Sequence, residues 1–255
     1  MAGHSHWASI KHKKGAVDKK RGKLFSMLAR NIMTAARNGG GDPDMNLRLR
    51  YALDKARLAS MPKDNIERAV KKGTGELEGV NYEEVMYEGY GPGGTAIIIE
   101  GLTDNRARTA GEIRNIFERR GGKFGDSGSV SFQFDKKAVL TIPKGKPTED
   151  DVMAAALDAG ADDMRTTADA FEILAPPTEM EAVRQALVDK KLEVSSAEFA
   201  MIPKALVPLD LPAARKLFAL LEVFEEHEDV QNVYSNYDVP EDVMTKLAAE
   251  AEAEG

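Results

Sequence analysis

The hydrophobic period of this chain changes once, near Gly75, and that change limits the folds open to it. Before Gly75 apolar residues recur at helical spacing; after it, strand-like runs alternate with helical ones. Leu24, Leu28, Ile32 and Ala35, with Phe25 alongside, predict a first helix ended by Gly39-Gly40-Gly41. Asp42 as N-cap and Pro43 at the first helical position predict a second, with Leu49, Leu53 and Ala56 on one face. Pro62 opens a third, whose Ile66, Ala69 and Val70 face inward before Gly73 stops it. Three short helices with one apolar face each pack as a small bundle.

Past Gly75, residues 84–90 and 95–100 read as two strands joined by Gly91-Pro92-Gly93-Gly94, a hairpin whose glycines permit positive φ. Gly89, Gly91 and Gly94 also satisfy G-x-G-x-x-G, but a strand follows where a dinucleotide site needs a helix, so that reading is rejected. A glycine flap over ATP also fails, for the next strand lacks its lysine. Thr103-Asp104-Asn105 caps a helix over 106–120, with Ala110, Ile113, Ile116 and Phe117 inward and Gly121 beyond its end. Residues 129–134 alternate as a strand. Residues 136–206 then run strand, helix, strand material, helix, strand, the order of a ferredoxin-like split unit. An amphipathic helix over 211–226 and a strand over 230–237 follow, and the Ala-Glu tail reads as a frayed helix or disorder.

Charge divides the chain at the same place. Residues 1–75 hold 17 Lys+Arg against 6 Asp+Glu, a net of plus 11; the other 180 residues hold 18 against 36, a net of minus 18. The whole-chain net of −7 therefore conceals a basic module, an arrangement that gives a polyanion one end to bind and one to avoid. The basic charge is densest in an N-terminal arm. Lys11, Lys13, Lys14, Lys19, Lys20, Arg21 and Lys23 accompany His4, His6, His12 and Trp7, the chain's single tryptophan. Cations of this kind neutralise phosphates and release counterions, and an indole stacks on an unpaired base. A solvated tail is the alternative reading of such a segment. Arg106, Arg108, Arg114, Arg119, Arg120 and Lys123 on and after the helix over 106–120 suggest a second polyanion contact, with Arg106 and Arg108 foremost; pairing with Glu112 and Glu118 is the competing reading.

Composition excludes other classes. With no cysteine there are no disulfides, thiolate metal sites or cysteine nucleophiles. The longest apolar run, Ala96-Ile97-Ile98-Ile99, is far short of a membrane span, and the N-terminus lacks the apolar core of a signal peptide. Three of the four histidines lie in the arm, where nothing rigid holds a catalytic geometry, so no enzyme, cofactor or structural metal is expected. Loss of Met1 would leave Ala2-Gly3-His4 able to bind Cu(II) or Ni(II), a chemistry without an expected role.

Five stretches together resemble the YebC family, whose mitochondrial relatives include the translational activator of cytochrome c oxidase. They are Gly3-His4-Ser5 through Lys14-Gly15, Gly89-Tyr90-Gly91-Pro92-Gly93-Gly94, Thr103-Asp104-Asn105-Arg106, Gly128-Ser129-Val130, and Asp229-Val230-Gln231-Asn232-Val233-Tyr234-Ser235-Asn236. Ser9 departs from the asparagine usual in the family. The resemblance implies an α+β protein of three domains. These are a basic three-helix domain with its arm over 1–78, a discontinuous middle α/β domain over 79–135 and 207–255, and a ferredoxin-like domain over 136–206 inserted into it. It also implies a regulator of gene expression, described in the family both as a DNA-binding transcriptional regulator and as a ribosome-associated factor easing elongation through proline-rich stretches. An arm with one aromatic suits unpaired RNA bases, and no helix shows an evident major-groove reading face. The expectation is a monomeric, cytoplasmic, non-enzymatic factor that binds RNA, foremost on the ribosome. DNA binding, or a protein-interaction module without nucleic acid, are the alternatives.

Overall fold

The computed structural model of the protein describes residues 17–145 and 147–253. Three helices come first: α1 (Val17–Gly39), α2 (Leu47–Leu58) and α3 (Lys63–Thr74). Leu28, Ile32, Leu49, Leu53, Ala56, Ile66 and Ala69 form their common core, so the helical spacing read from the sequence is the packing that occurs. Two end signals act differently from expectation. Asp42 caps a turn, its Oδ1 accepting from the Asp44 N–H at 2.9 Å, and Asn46 is the N-cap of α2, accepting from the Leu49 N–H at 3.1 Å. Gly73 does not stop α3 but lies inside it, buried where a Cβ would sit 2.5 Å from the Met33 carbonyl oxygen of α1. The stop is Gly75, left-handed at φ 86°.

A four-stranded antiparallel sheet follows, in the order β3-β1-β2-β9. Its strands are β1 (Glu83–Tyr90), β2 (Ala96–Thr103), β3 (Lys123–Phe124) and β9 (Val230–Ser235). The β1–β2 hairpin runs in register from Glu83 opposite Thr103 to Tyr90 opposite Ala96. Helices α4 (Arg106–Arg119) and α7 (Leu211–Glu226) supply Ile113, Phe117, Leu217, Leu221 and Phe224 to a core with Val85, Tyr87, Ile97 and Ile99 of the sheet. Such alternation along each strand sends one face to the helices. Ile98 and Ala96, on the other parity, are also fully buried. A short parallel pair, β8 (Val207–Pro208) with β10 (Tyr237–Asp238), precedes the last helix, α8 (Glu241–Ala253). Val243, Met244 and Leu247 of α8 join the core, and the helix continues into the Ala-Glu stretch as far as Ala253.

Residues 129–133 are not a strand, and of the expected run only Phe134 is, as the first residue of a later strand. Ser131–Gln133 is a 3-10 turn with Val130 buried and Phe132 66% exposed, because Glu88 fixes the preceding loop. Its Oε1 accepts from the Gly128 N–H at 2.8 Å, and its Oε2 from those of Val130 and Ser131 at 2.7 and 2.8 Å.

The described chain divides into two compact units, one ending at Gln133 and resuming at Ala205, the other spanning Phe134–Lys204. The second has strands β4 (Phe134–Pro143), β5 (Asp163–Thr166), β6 (Ala170–Ala175) and β7 (Ser196–Pro203), with helices α5 (Glu149–Asp158) and α6 (Met180–Asp189). Its antiparallel sheet has the order β5-β6-β4-β7, the arrangement of a ferredoxin-like unit. The protein is an α+β protein in which helices precede mixed helix-and-sheet units. Among the described residues no helix is long and apolar enough to cross a membrane.

Candidate nucleic-acid interface

His4, His6, Trp7, Lys11, His12, Lys13 and Lys14 lie outside the described residues, and Lys19 and Lys20 fall on the first turn of α1. Arg21 is exposed, its guanidinium 5.4 Å from the Phe25 ring centre. Lys23 turns toward the protein, its Nζ donating to the Glu225 carbonyl in the last turn of α7. A cation there complements the negative end of the helix dipole.

Arg106 and Arg108 are likewise held by the protein's own acceptors. Arg106 lies 3.8 Å from the Glu83 carboxylate and donates to the Glu84 carbonyl at 3.3 Å. Arg108 reaches three carboxylates, Asp229 at 2.6 Å, Asp104 at 2.9 Å and Glu112 at 3.9 Å. The hydrogen bonds it donates to Asp229 and Asp104 push its guanidinium still further toward the charged form.

Asp229, only 4% exposed, is the centre of this arrangement. Thr109 Oγ1 donates to its Oδ2 at 2.7 Å, and Arg30 of α1 approaches Oδ1 at 3.3 Å while also donating to the Glu228 carbonyl. Burial alone would raise the Asp229 carboxyl, but Thr109, Arg108 and Arg30 outweigh it and hold the group below the usual aspartate range. Thr103 contributes at one remove. Its Oγ1 accepts from the Asn105 N–H at 2.9 Å and lies 2.7 Å from Thr109 Oγ1, which, having given its proton to Asp229, accepts from Thr103. The backbone fits as tightly, since Leu102 N–H donates to the Asp229 carbonyl at 2.8 Å and Gly101 leaves no room for a Cβ beside that oxygen. The stretches beginning at Thr103 and at Asp229 thus meet through hydrogen bonds.

A cleft of about 810 Å³ opens beside Asp229. Arg30, stacked 5.3 Å from the Tyr82 ring centre, lines it together with Arg119 and Arg120 at the end of α4. Glu112, His227 and Asp229 bring possible metal-ligand atoms within 4.8 Å of one another, and hydrogen bonds already engage each of these residues. His227 Nδ1 accepts from the Asp229 N–H at 3.2 Å, which leaves the proton on Nε2, 3.0 Å from Glu112 Oε2. The Arg108 guanidinium supplies positive charge at Asp229, so these residues take part in an ion-pair network.

Among the described residues, cations without an ion pair include Arg68, Lys71 and Lys72 on α3 and, at and after the end of α4, Arg119, Arg120 and Lys123, the last three exposed. Sequence reasoning passed over Asp229, Thr109 and Glu88, whose hydrogen-bond partners lie far away along the chain. The available signal was position, since Asp229 opens one of the stretches on which the family resemblance rests.

Comparison with known proteins agrees with this architecture. A family model described as the TACO1/YebC protein N-terminal domain matches residues 5–76, and one described as the TACO1/YebC second and third domain matches residues 82–237. A relative in Pelotomaculum thermopropionicum is 51% identical over 241 residues, covering 94% of this chain and 99% of its own. One in Salinispora arenicola is 51% identical over 248 residues, covering 97% and 100%. Each is described as a "Probable transcriptional regulatory protein". A crystal structure of a conserved hypothetical protein from Aquifex aeolicus, 43% identical, superposes with a TM-score of 0.84 over 92% of this chain and 98% of that one. Matched by family models through both its helical and its sheet-bearing parts, the chain belongs to the TACO1/YebC family.

Proposed function

We propose that this protein is a non-enzymatic regulator of gene expression that binds RNA, foremost ribosomal RNA, and eases elongation through difficult, proline-rich stretches. The observation that carries the reading is the split of charge, plus 11 over residues 1–75 against minus 18 over the remainder. A phosphate backbone is drawn to the first part and repelled by most of the second. The arm, from His4 to Lys23 and including Trp7, makes the primary contact, and Arg68, Lys71 and Lys72 of α3 extend it. Arg106 and Arg108 belong to the interface as cations that a phosphate must share with Glu83, Asp104 and Asp229. The role is positioning, with the acidic units keeping the rest of the molecule off the polyanion.

A second reading, a DNA-binding transcriptional regulator, draws support from the description of the relatives. Crosslinking in living cells, scored for ribosomal RNA against chromosomal DNA, separates the two. Enrichment of ribosomal RNA is expected; enrichment of chromosomal DNA alone would favour the second reading, and enrichment of neither would leave a protein-interaction module. In vitro, affinity for RNA should fall steeply with salt and with charge reversal at Lys11, Lys13 and Lys14.

A further inference from the structure

The acidic portion of the chain reverses its sign at one place. Between Ile113 and Gly125 there are four basic residues, Arg114, Arg119, Arg120 and Lys123, against one acid, Glu118, in a portion whose net charge is minus 18. Most cations elsewhere in that portion have partners: Arg106 and Arg108 as described, Lys137 with Asp162, Arg184 with Glu181, Arg215 with Glu250, Lys246 with Asp242. Arg119, Arg120 and Lys123 have no ion pair among the described residues, the one point there where three such cations fall within five residues.

Local structure keeps them together. Phe117, fully buried, anchors the last turn of α4, and Gly121 at φ 77° turns the chain so that Lys123 enters β3. Close packing holds that turn, for a Cβ on Gly122 would meet Phe117 and the Tyr90 carbonyl at 2.8 Å each. Arg114 lies 4.9 Å from the Phe124 ring centre, which adds a cation to the edge of the group. The partial negative charge at the end of a helix is about half a unit, so three full charges exceed it. Arg119 and Arg120 also line the cleft shared with Arg30 and Tyr82, which joins this patch to the basic helical part.

We propose that Arg119, Arg120 and Lys123 form a second phosphodiester-binding site, which takes the backbone of an RNA strand whose other contacts are made by the arm. The proposal rests on the RNA-binding function proposed above and assigns it a site within the acidic portion. Guanidinium forks match phosphate oxygens in pairs, and Lys123 adds a point charge. The site contacts backbone, so it contributes affinity without base preference.

The test measures fluorescence anisotropy of a labelled hairpin RNA, and separately of duplex DNA, against the full-length protein over a series of salt concentrations. The proteins are the wild type, the triple variant Arg119→Ala, Arg120→Ala, Lys123→Ala, an arm variant with Lys11, Lys13 and Lys14 changed to Ala, and a charge-keeping variant Arg119→Lys, Arg120→Lys. With about 0.7 counterion released per single-strand phosphate contact, the triple variant should lower the log–log salt slope by about 2. Affinity at moderate salt should fall roughly tenfold or more, and the charge-keeping variant should retain the slope. Circular dichroism melts confirm that the exposed substitutions leave the fold intact. Wild-type binding that is lost in the arm variant and unchanged in the triple variant would overturn the second site and leave the RNA-binding function standing. Absence of wild-type binding to the RNA would remove both. A slope change on duplex DNA alone would reassign the site to DNA and overturn the proposal as stated.

Discussion

Arg30 in the middle of α1 and Asp229 just ahead of β9 face one another with 3.3 Å between Nη1 and Oδ1, and they belong to elements with separate apolar cores. The same aspartate holds Arg108 and Thr109 of α4. One nearly buried carboxylate therefore ties the helical part, the sheet edge and a flanking helix together. Asn31 adds to the seam, donating to Gln231 Oε1 at 2.8 Å, and Arg48 pairs with Glu84.

Asp229→Asn should lower stability by about 3–5 kcal/mol, as expected when a buried charge is removed and its cationic partners are left behind. The measurement is chemical denaturation followed by circular dichroism. Arg30→Met should cost less, because Arg108 and Thr109 still compensate the aspartate. Equal losses from the two changes would mean that Arg30 alone supports Asp229.

Acid should weaken the fold through Glu88. Burial raises this carboxyl, but the backbone N–H groups of Val130, Gly128 and Ser131, with the Ser131 hydroxyl, outweigh it and hold the group below the ordinary glutamate range. A depressed folded value gives stability that is fully present above the unfolded pKa, about 4.3, and is lost as pH falls through the folded one. Melting temperature should therefore drop as pH falls below about 4.3. Glu88→Gln should flatten that dependence and cost about 1–3 kcal/mol at neutral pH, because an amide N–H₂ faces N–H donors.

Two glycines inside helices should respond oppositely to alanine. Gly73 has the Met33 carbonyl oxygen 2.5 Å from a Cβ position, so Gly73→Ala should destabilise the three-helix part by about 1–3 kcal/mol. Gly111 in α4 has nothing within 4 Å, so Gly111→Ala should stabilise by about 0.5–1 kcal/mol. Thermal melts of the two single variants read both signs.

Trp7→Ala should weaken binding to single-stranded RNA by about 5- to 100-fold, corresponding to one stacked base. Duplex affinity should change little, because a duplex offers no unpaired face. Anisotropy titrations on matched single-stranded and duplex probes make the comparison, and equal losses would remove the stacking role.

Much of the fold was legible because periodicity reports burial directly. The helix at Leu211–Glu226 and the hairpin of β1 and β2 follow from apolar spacing and from the glycines between the strands. What was misread depended on partners distant in sequence. Gly73 looked like a helix end because its packing against α1 is not a local property. Residues 129–134 alternate like a strand, yet Glu88, some forty residues earlier, accepts from the Gly128, Val130 and Ser131 N–H groups and holds all but Phe134 out of the sheet. In the candidate interface, charge density located the basic part, but sequence could not show that Arg108 faces Asp229 across 121 positions while Arg119, Arg120 and Lys123 remain open.

Helix α1 meets the sheet edge through polar atoms, and none of the core residues on one side is shared with the other. Such a joint uncovers little greasy surface when it parts, since water and dissolved ions replace most of what it loses. Ionic conditions, more than heat, should therefore govern how firmly the basic front is latched, and a strand of nucleic acid is itself a dense source of competing charge.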